Sequence, residues 1–237
     1  EVRLSEFDGK GIGKLRGHIS YKCASFDAES GVYRLFVPTG GGKTLSSLRL
    51  ALTVAKRYGK RRIVYAEPFL TILSQTAREI RKAVGEDPDD RDADSDVLEF
   101  HSNVSFEEDE RGEEQENQYL KLSERLDKPI VVTSNVQLLN SLFSGKSACA
   151  RRMSALVNSV IVVDEVQAVP SGSTYLFSMA MNYLARFCNC LAILCTATPP
   201  ALENIAYPVR LSPNPDVVGD ISELFAAFKR TKIKMVP

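Results

Sequence analysis

The feature that most constrains this chain is a glycine-rich segment, PTGGGKT, at residues 38–44. The apolar run at 33–38 predicts a buried strand before it, and the leucines spaced along 43–58 predict a helix after it. Glycines let the backbone curl until successive N–H groups point at one anion, and the following helix offers its N-terminal N–H groups to the same anion. The segment therefore predicts a phosphate-binding loop in an α/β domain. A glycine-rich turn whose threonine caps the helix is the alternative interpretation.

In the first interpretation the loop binds a magnesium–nucleotide complex. Lys43 would reach the β- and γ-phosphates, and the Thr44 hydroxyl would bind Mg²⁺. Val37 stands where the general pattern has glycine or alanine, and we expect its side chain to face away from the phosphates. The predicted nucleotide-binding residues are Thr39, Gly40, Gly41, Gly42, Lys43 and Thr44.

A second motif, Asp164–Glu165–Val166–Gln167, directly follows the apolar run VIVV. Open α/β sheets bind ligands at the carboxyl ends of their parallel strands, where these carboxylates would lie. We expect Asp164 to hold Mg²⁺ through water, and Glu165 to orient and deprotonate a water molecule that attacks the γ-phosphate of ATP. An acidic pair after a strand can also be a helix N-cap with a solvated neighbour. The loop about 120 residues upstream favours the catalytic interpretation.

Short apolar runs alternate with amphipathic ones along the chain, and this order predicts a three-layer α/β domain around a mostly parallel sheet. The predicted strands are 33–38, 61–68, 97–102, 129–134, 159–165 and 190–198. The predicted helices are 43–58, 69–84, 113–126, 135–143 and 174–187. We expect a preamble at 1–30, an ATP-binding domain at 31–207, and a linker at 208–237 that begins in a proline-rich segment.

Charge is distributed unevenly along the chain although its formal net charge is zero. Residues 86–116 contain 15 acidic and two basic side chains, so the rest of the chain has 15 acids and 28 bases, a net +13. A basic body suits a polyanionic partner, although scattered solubilising lysines and arginines would produce the same number. The acidic stretch is predicted to be a solvated surface insertion.

The five cysteines and two histidines contain no CxxC pair and no zinc-like constellation. We therefore expect buried free thiols and a cytoplasmic, reducing compartment. No segment is apolar enough to cross a membrane, and the N-terminus has no apolar region typical of a signal peptide. The chain lacks an initiator methionine, so we expect a fragment of a longer protein.

The order of these motifs resembles the superfamily 2 helicases, over about residues 30–200. The matching segments are PTGGGKT (38–44) for motif I, AEPFLTILSQTARE (66–79) for Ia, VVTSNVQLLNSLF (131–143) for Ib, DEVQ (164–167) for II and TAT (196–198) for III.

The resemblance implies a RecA-like domain that binds ATP and Mg²⁺. It implies that Gln167 links ATP to a second domain, and that Thr196 and Thr198 couple hydrolysis to strand movement. The residues that would line the nucleic-acid track are Pro68, Phe69, Thr133 and Ser134. Turn and helix-cap chemistry is the alternative for these four residues, and a structural role is expected for His101.

Within this superfamily the segments DEVQAVP, EFHSNV and TATPPAL look most similar to the CRISPR-associated helicase–nuclease of type I systems. That family degrades foreign DNA opened by an RNA-guided surveillance complex, and its two RecA-like domains translocate on single-stranded DNA. Its HD nuclease domain is not expected here, because the chain has two histidines and no adjacent His-Asp pair. The second RecA-like domain, with its arginine finger, is also expected to lie outside the chain. The isolated domain should then hydrolyse ATP slowly or not at all.

Three rival functions follow from the same residues. An RNA helicase or a restriction-type DNA translocase of superfamily 2 would share every motif. A nucleotide switch that binds without hydrolysis would need the loop but not Glu165. A small-molecule kinase would leave the similarity to motifs Ia, Ib and III as coincidence.

Overall fold

The computed structural model describes residues 12–89, 95–101, 110–197 and 206–219, together with 221, 225, 226 and 228. Six strands form one sheet in the order β1-β6-β5-β2-β4-β3, and every pair of neighbours is parallel. The strands are β1 (Gly31–Phe36), β2 (Arg62–Glu67), β3 (Val97–Phe100), β4 (Ile130–Ser134), β5 (Ser159–Val163) and β6 (Leu191–Thr196). The predicted α/β class with a mostly parallel sheet is confirmed.

Seven α-helices are described along the chain. They are α1 (Ile12–Ser25), α2 (Lys43–Tyr58), α3 (Leu70–Val84), α4 (Glu110–Arg125), α5 (Asn135–Phe143), α6 (Ser147–Ala155) and α7 (Thr174–Phe187). The bounds of α2, α5 and α7 agree with the helical periodicity of the sequence. Helices α1 and α6 are additional, because neither segment has a strong apolar repeat in the sequence.

The helices cover both faces of the sheet and create two separate cores. Side chains alternate along each strand, so Tyr65 and Val162 pack with α1, α2 and α3, whereas Ala66 and Val163 pack with α5 and α7 on the opposite face. Strands buried on both faces read as continuous apolar runs, which is why β5 and β6 were recognisable in the sequence. The result is a three-layer domain.

The parallel register brings the carboxyl ends of all six strands to one edge of the sheet. Phe36 of β1 pairs with Thr196 of β6, and Ala66 of β2 pairs with Val163 of β5. The strand predicted at 33–38 ends earlier, at Phe36, because Pro38 lacks the N–H that a ladder needs. The residues that follow the strands therefore meet at this edge, where the site is built.

Residues assigned by the sequence to the preamble contribute to the core. Helix α1 packs on α2 through Leu15, Ile19 and Cys23, each at most 2% exposed. This helix was missed because only every fourth residue faces the core, and polar residues surround these three.

Part of the predicted linker is also packed against the domain. The N–H of Arg34 in β1 donates to the Pro215 carbonyl at 2.7 Å, and the N–H of Val217 donates to the Arg34 carbonyl at 2.9 Å. The Arg34 guanidinium binds both Asp216 oxygens, at 2.8 and 3.1 Å. Residues 206–219 thus pair with the free edge of β1 instead of forming an exposed linker. An unpaired strand edge offers backbone N–H and C=O groups to any nearby segment.

The predicted acidic insertion is partly incorporated into the sheet. Strand β3 is buried along its length at the far edge of the sheet. The Glu99 carboxylate accepts from Arg81 of α3 at 2.7 Å, and both side chains are almost fully buried. Ser74 of α3 also donates to Glu99, at 3.1 Å. One acidic residue of this stretch is therefore a structural partner rather than a solvated charge.

None of the described helices is long and apolar enough to cross a membrane.

Candidate active site

The glycine-rich loop turns between β1 and α2 with the conformation that its glycines permit. Gly40 and Gly42 have φ of 82° and 80°, in the left-handed region that side chains disfavour. A Cβ on Gly41 would lie 2.6 Å from Val37 Cγ1 and 2.9 Å from the Pro38 carbonyl, so only glycine fits there. Val37 itself is buried in the core on the α2 side, as the sequence predicts for a side chain that faces away from phosphate.

Lys43, at the start of α2, joins the loop to the acidic motif after β5. Its ammonium group lies 2.8 Å from Asp164 Oδ1 and also donates to Glu165 Oε1. Burial would lower the pKa of Lys43, but the two carboxylates outweigh it and raise the pKa above its ordinary value. Lys43 is therefore a permanent cation at physiological pH, next to the place where anionic phosphates are predicted to bind.

The two acids respond differently to the same surroundings. Burial raises the pKa of Asp164, and the Lys43 ammonium only partly offsets this. Glu165 is less buried, and hydrogen bonds from Lys43 and Gln167 hold its pKa below the ordinary value despite some desolvation. Glu165 also has φ of 44°, a conformation that is costly for a non-glycine residue and often found at functional sites. Because its pKa lies below the ordinary value, Glu165 is ionised at neutral pH, as a general base must be.

Gln167 connects the acidic motif to β6. Its side-chain amide donates to Glu165, and its Oε1 accepts from the Thr196 hydroxyl at 2.6 Å. Lys43, Glu165, Gln167 and Thr196 therefore form one hydrogen-bonded chain across three segments that are distant in sequence. Thr198, the other predicted coupling residue, lies outside the described part of the chain.

Glu67, at the end of β2, was not singled out in the sequence, yet it lies beside this chain. It is fully buried, and neither carboxylate oxygen has a hydrogen-bond partner among the described residues. Burial first, and then the neighbouring Asp164 charge, raise the pKa of Glu67 to about 7, while the nearby Thr76 hydroxyl and the Lys43 ammonium oppose the rise. A signal was present, since a glutamate ends the otherwise apolar run IVYAE.

Arg16 of α1 is a second residue that the motifs do not include. Its Nε donates to the Gly40 carbonyl at 2.8 Å, so α1 holds the phosphate loop directly. No sequence signal identified it, because the contact joins residues 24 positions apart in a segment without a motif.

The four predicted nucleic-acid residues have different surroundings. Phe69 precedes α3 and is 59% exposed, and Pro68 beside it is half-buried. Thr133 is buried and donates its hydroxyl to the Phe100 carbonyl at 2.8 Å. Ser134 caps α5, because its Oγ accepts from the Gln137 N–H at 3.2 Å. The last two hydroxyls thus serve packing and helix capping here.

The side chains present fit a magnesium ion that also takes phosphate ligands. Thr44 and Asp164 offer hard oxygen donors, which Mg²⁺ prefers. The buried Glu67 carboxylate, whose oxygens have no hydrogen-bond partner among the described residues, would also be stabilised by a nearby cation. The described residues contain no group of three or more His, Cys, Asp or Glu that could hold a metal alone. A magnesium site here therefore depends on the nucleotide for some of its ligands.

Several solved helicase structures resemble the fold, with low sequence identity. T. fusca Cas3 has a TM-score of 0.59 at 20% identity, over 78% of this chain and 21% of that one. The DUF1998 helicase MrfA bound to DNA has a TM-score of 0.58 at 18% identity, over 88% and 27%. The Pyrococcus furiosus Hef helicase domain has a TM-score of 0.51 at 21% identity, over 90% and 35%. The chain thus spans between a fifth and about a third of the length of these proteins.

No curated protein matches the whole sequence significantly. The model of the DEAD/DEAH box helicase family, in contrast, matches residues 31–205, about three quarters of the chain. The matched region contains the phosphate loop, the acidic motif and β6, and these are the segments that meet at the sheet edge. The chain therefore belongs to the DEAD/DEAH box helicase family.

Proposed function

We propose that this domain is the ATP-binding half of an ATP-dependent single-stranded DNA translocase that acts in CRISPR interference. The observation that carries the proposal is the hydrogen-bonded chain from Lys43 through Glu165 and Gln167 to Thr196. It joins the residues predicted to bind phosphate, to activate water and to couple hydrolysis to movement. A binding protein without hydrolysis has no need for this connection.

Lys43 would exchange its partners when ATP binds. The phosphate oxygens would compete with Asp164 and Glu165 for the ammonium, and the Gly40–Gly42 backbone would add N–H donors. Thr44 and Asp164 are the side chains that would hold Mg²⁺, which when bound neutralises charge on the phosphates. Glu165, released from Lys43, would keep the hydrogen bond from Gln167 and would be free to accept a proton from water.

The Gln167–Thr196 hydrogen bond would carry the state of the nucleotide to β6. Glu165 holds one end of the Gln167 amide and Thr196 holds the other, so a movement of Glu165 would be passed to Thr196 through these two hydrogen bonds. In the proposed motor this link transmits hydrolysis to the segment after β6. Exposed Phe69 and its neighbour Pro68 are the residues that would contact the DNA backbone or stack on its bases.

The CRISPR assignment is supported by the DEVQAVP, EFHSNV and TATPPAL segments, and by the likeness of the fold to T. fusca Cas3. The DNA substrate is supported by the likeness to MrfA, which was solved bound to DNA. The partners implied are an RNA-guided surveillance complex, a second RecA-like domain and an HD nuclease domain. An intracellular, cytoplasmic site of action belongs to the same proposal.

The test is steady-state ATP hydrolysis by the longest natural chain that contains this domain, at one fixed salt concentration. Rates are compared without nucleic acid, with single-stranded DNA and with single-stranded RNA. We expect strong stimulation by DNA, and a loss of about 100-fold or more in Lys43→Ala and Glu165→Gln. Lys56→Ala is the matched control, because Lys56 is exposed at the far end of the same helix.

Each other outcome identifies a rival function. Equal or greater stimulation by RNA would replace the proposal with an RNA helicase. Nucleotide binding without stimulated hydrolysis, unaffected by Glu165→Gln, would indicate a nucleotide switch. Hydrolysis on double-stranded target DNA that the surveillance complex does not stimulate in a reconstituted assay would favour a restriction-type translocase.

A further inference from the structure

We propose that Glu67 is a third carboxylate of the Mg–ATP site, where its negative charge helps to attract and position the cation. This role presupposes the ATPase function proposed above and adds a positioning residue to it. No motif and no part of the family resemblance assigns a role to this side chain.

The register of the sheet places Glu67 next to Asp164. Ala66 of β2 pairs with Val163 of β5, and the Asp164 N–H donates to the Ala66 carbonyl at 2.9 Å. Ala66 and Val163 both face the α7 side of the sheet, so the next residue on each strand faces the α2 side. Glu67 and Asp164 are therefore neighbours on the face that carries Lys43.

The surroundings of Glu67 do not satisfy its carboxylate. It is 0% exposed, and both oxygens lack a hydrogen-bond partner among the described residues. A buried polar group without a partner costs free energy, and a buried charge costs more. The Lys43 ammonium contacts Asp164 and Glu165, so it acts on the third carboxylate only as a nearby charge.

A divalent cation provides what this cluster lacks. Three carboxylates and one ammonium carry a net charge of −2 when all are ionised, and the phosphates of ATP would draw Lys43 away from the acids. The described residues contain no group of three His, Cys, Asp or Glu close enough to hold a metal. Glu67 is therefore placed to act on the cation through its charge, not as a direct ligand, while Thr44 and Asp164 would hold the ion.

The fold alone gives no reason to keep a glutamate at this position. The four preceding residues of β2 are buried and apolar or aromatic, and a leucine would remove the cost of an unpartnered carboxylate. If Glu67 serves function, its replacement should stabilise the protein and weaken Mg²⁺-dependent nucleotide binding. If Glu67 serves structure, its replacement should destabilise the protein.

The experiment measures two quantities on the 237-residue chain and its variants. The first is the thermal midpoint in EDTA. The second is the free Mg²⁺ concentration that gives half-maximal binding of a fluorescent, non-hydrolysable ATP analogue. We expect Glu67→Leu to raise the thermal midpoint and to raise the Mg²⁺ requirement about 10-fold, the range seen when outer-shell partners of metals are removed. Glu67→Gln keeps the shape but removes the charge, so it should also raise the Mg²⁺ requirement.

Ser159→Ala is the matched control. Ser159 is also fully buried with an unpartnered hydroxyl, and it lies at the opposite end of β5 from Asp164. It should raise the thermal midpoint without changing the Mg²⁺ requirement.

Two results would overturn the inference. One is an unchanged Mg²⁺ requirement in both Glu67 variants. The other is a lower thermal midpoint for Glu67→Leu in EDTA, which would assign the carboxylate a structural role. Failure of the underlying ATPase function looks different, because the unmodified chain would then bind the analogue without any dependence on Mg²⁺ or Lys43.

Discussion

At the scale of single residues, burial controls the chemistry of the thiols as well as that of the acids. All five cysteines are free and buried. Desolvation raises the pKa of Cys23 to about 12, with Arg49 opposing it, and raises the pKa of Cys190 to about 11. Since only the thiolate reacts with alkylating reagents, these residues should be inert in the folded protein.

We predict that iodoacetamide at pH 8 labels Cys23 and Cys190 only as fast as the protein unfolds. The thiolate fraction of an ordinary thiol with a pKa near 9 is about one in ten at pH 8, against about one in a thousand or less for these two. Their raised pKa stabilises the fold below pH 9, and this contribution is lost as the pH rises through about 11. Mass spectrometry of samples labelled with and without guanidinium measures the difference. Complete labelling of native protein within minutes would contradict the prediction.

At the scale of elements, the buried Arg81–Glu99 pair fastens α3 to the edge strand β3. Arg81 is 1% exposed, and it also donates to the Val97 carbonyl at 3.2 Å. Removing one partner of such a pair leaves an uncompensated buried charge, whereas replacing both can be nearly neutral.

We therefore predict that Arg81→Met lowers the free energy of unfolding by about 3–5 kcal/mol. Arg81→Met combined with Glu99→Leu should recover most of that loss. Urea unfolding of both single variants and the double variant forms the cycle. Additive losses in the double variant would show that the two side chains stabilise the fold independently.

Helix α1 is the element whose role changes most between sequence and structure. Arg16 donates to the Gly40 carbonyl, so its removal should loosen the phosphate loop. We predict that Arg16→Ala weakens ATP-analogue binding about fivefold, the worth of one hydrogen bond of about 1 kcal/mol. Lys14→Ala is the control on the same helix, because Lys14 is exposed. Equal affinities in the two variants would remove Arg16 from the site.

At the scale of the whole molecule, the site opens at the edge of a single domain. Glu165 keeps 30% of its side chain exposed, and Gln167 is also exposed, so the candidate catalytic groups face an open surface. Related motors stabilise the transferred phosphoryl group with an arginine from elsewhere, worth about 10³–10⁵ in rate.

We accordingly predict that this chain alone binds ATP but hydrolyses it slowly, whether or not DNA is present. Under the proposed function, a second RecA-like domain added to the chain should produce DNA-stimulated turnover. The measurement is single-turnover hydrolysis at saturating protein. Robust DNA-stimulated turnover by the isolated chain would show that the site is complete within one domain.

The features that the sequence reveals are those governed by short-range geometry. Helices α2, α5 and α7 follow from their periodicity, and β5 and β6 from unbroken apolar runs. The loop at 38–44 is identifiable because phosphate binding needs glycines in a fixed local conformation. A ligand-binding role for the acidic pair after β5 can also be predicted, since parallel strands bring their carboxyl ends to one edge, where ligands bind.

The sequence by itself thus determined the family, the fold class and the motif residues of the candidate site. Only the tertiary structure decided the position of Arg16 on the loop, the docking of residues 206–219 on β1, and the conversion of Glu99 from surface charge to ion-pair partner. It alone showed that Glu67 has a fully buried carboxylate beside Asp164. The physical reason is common to all four. Each depends on contacts between segments far apart in the chain, and on the burial that those contacts create, neither of which a local pattern contains.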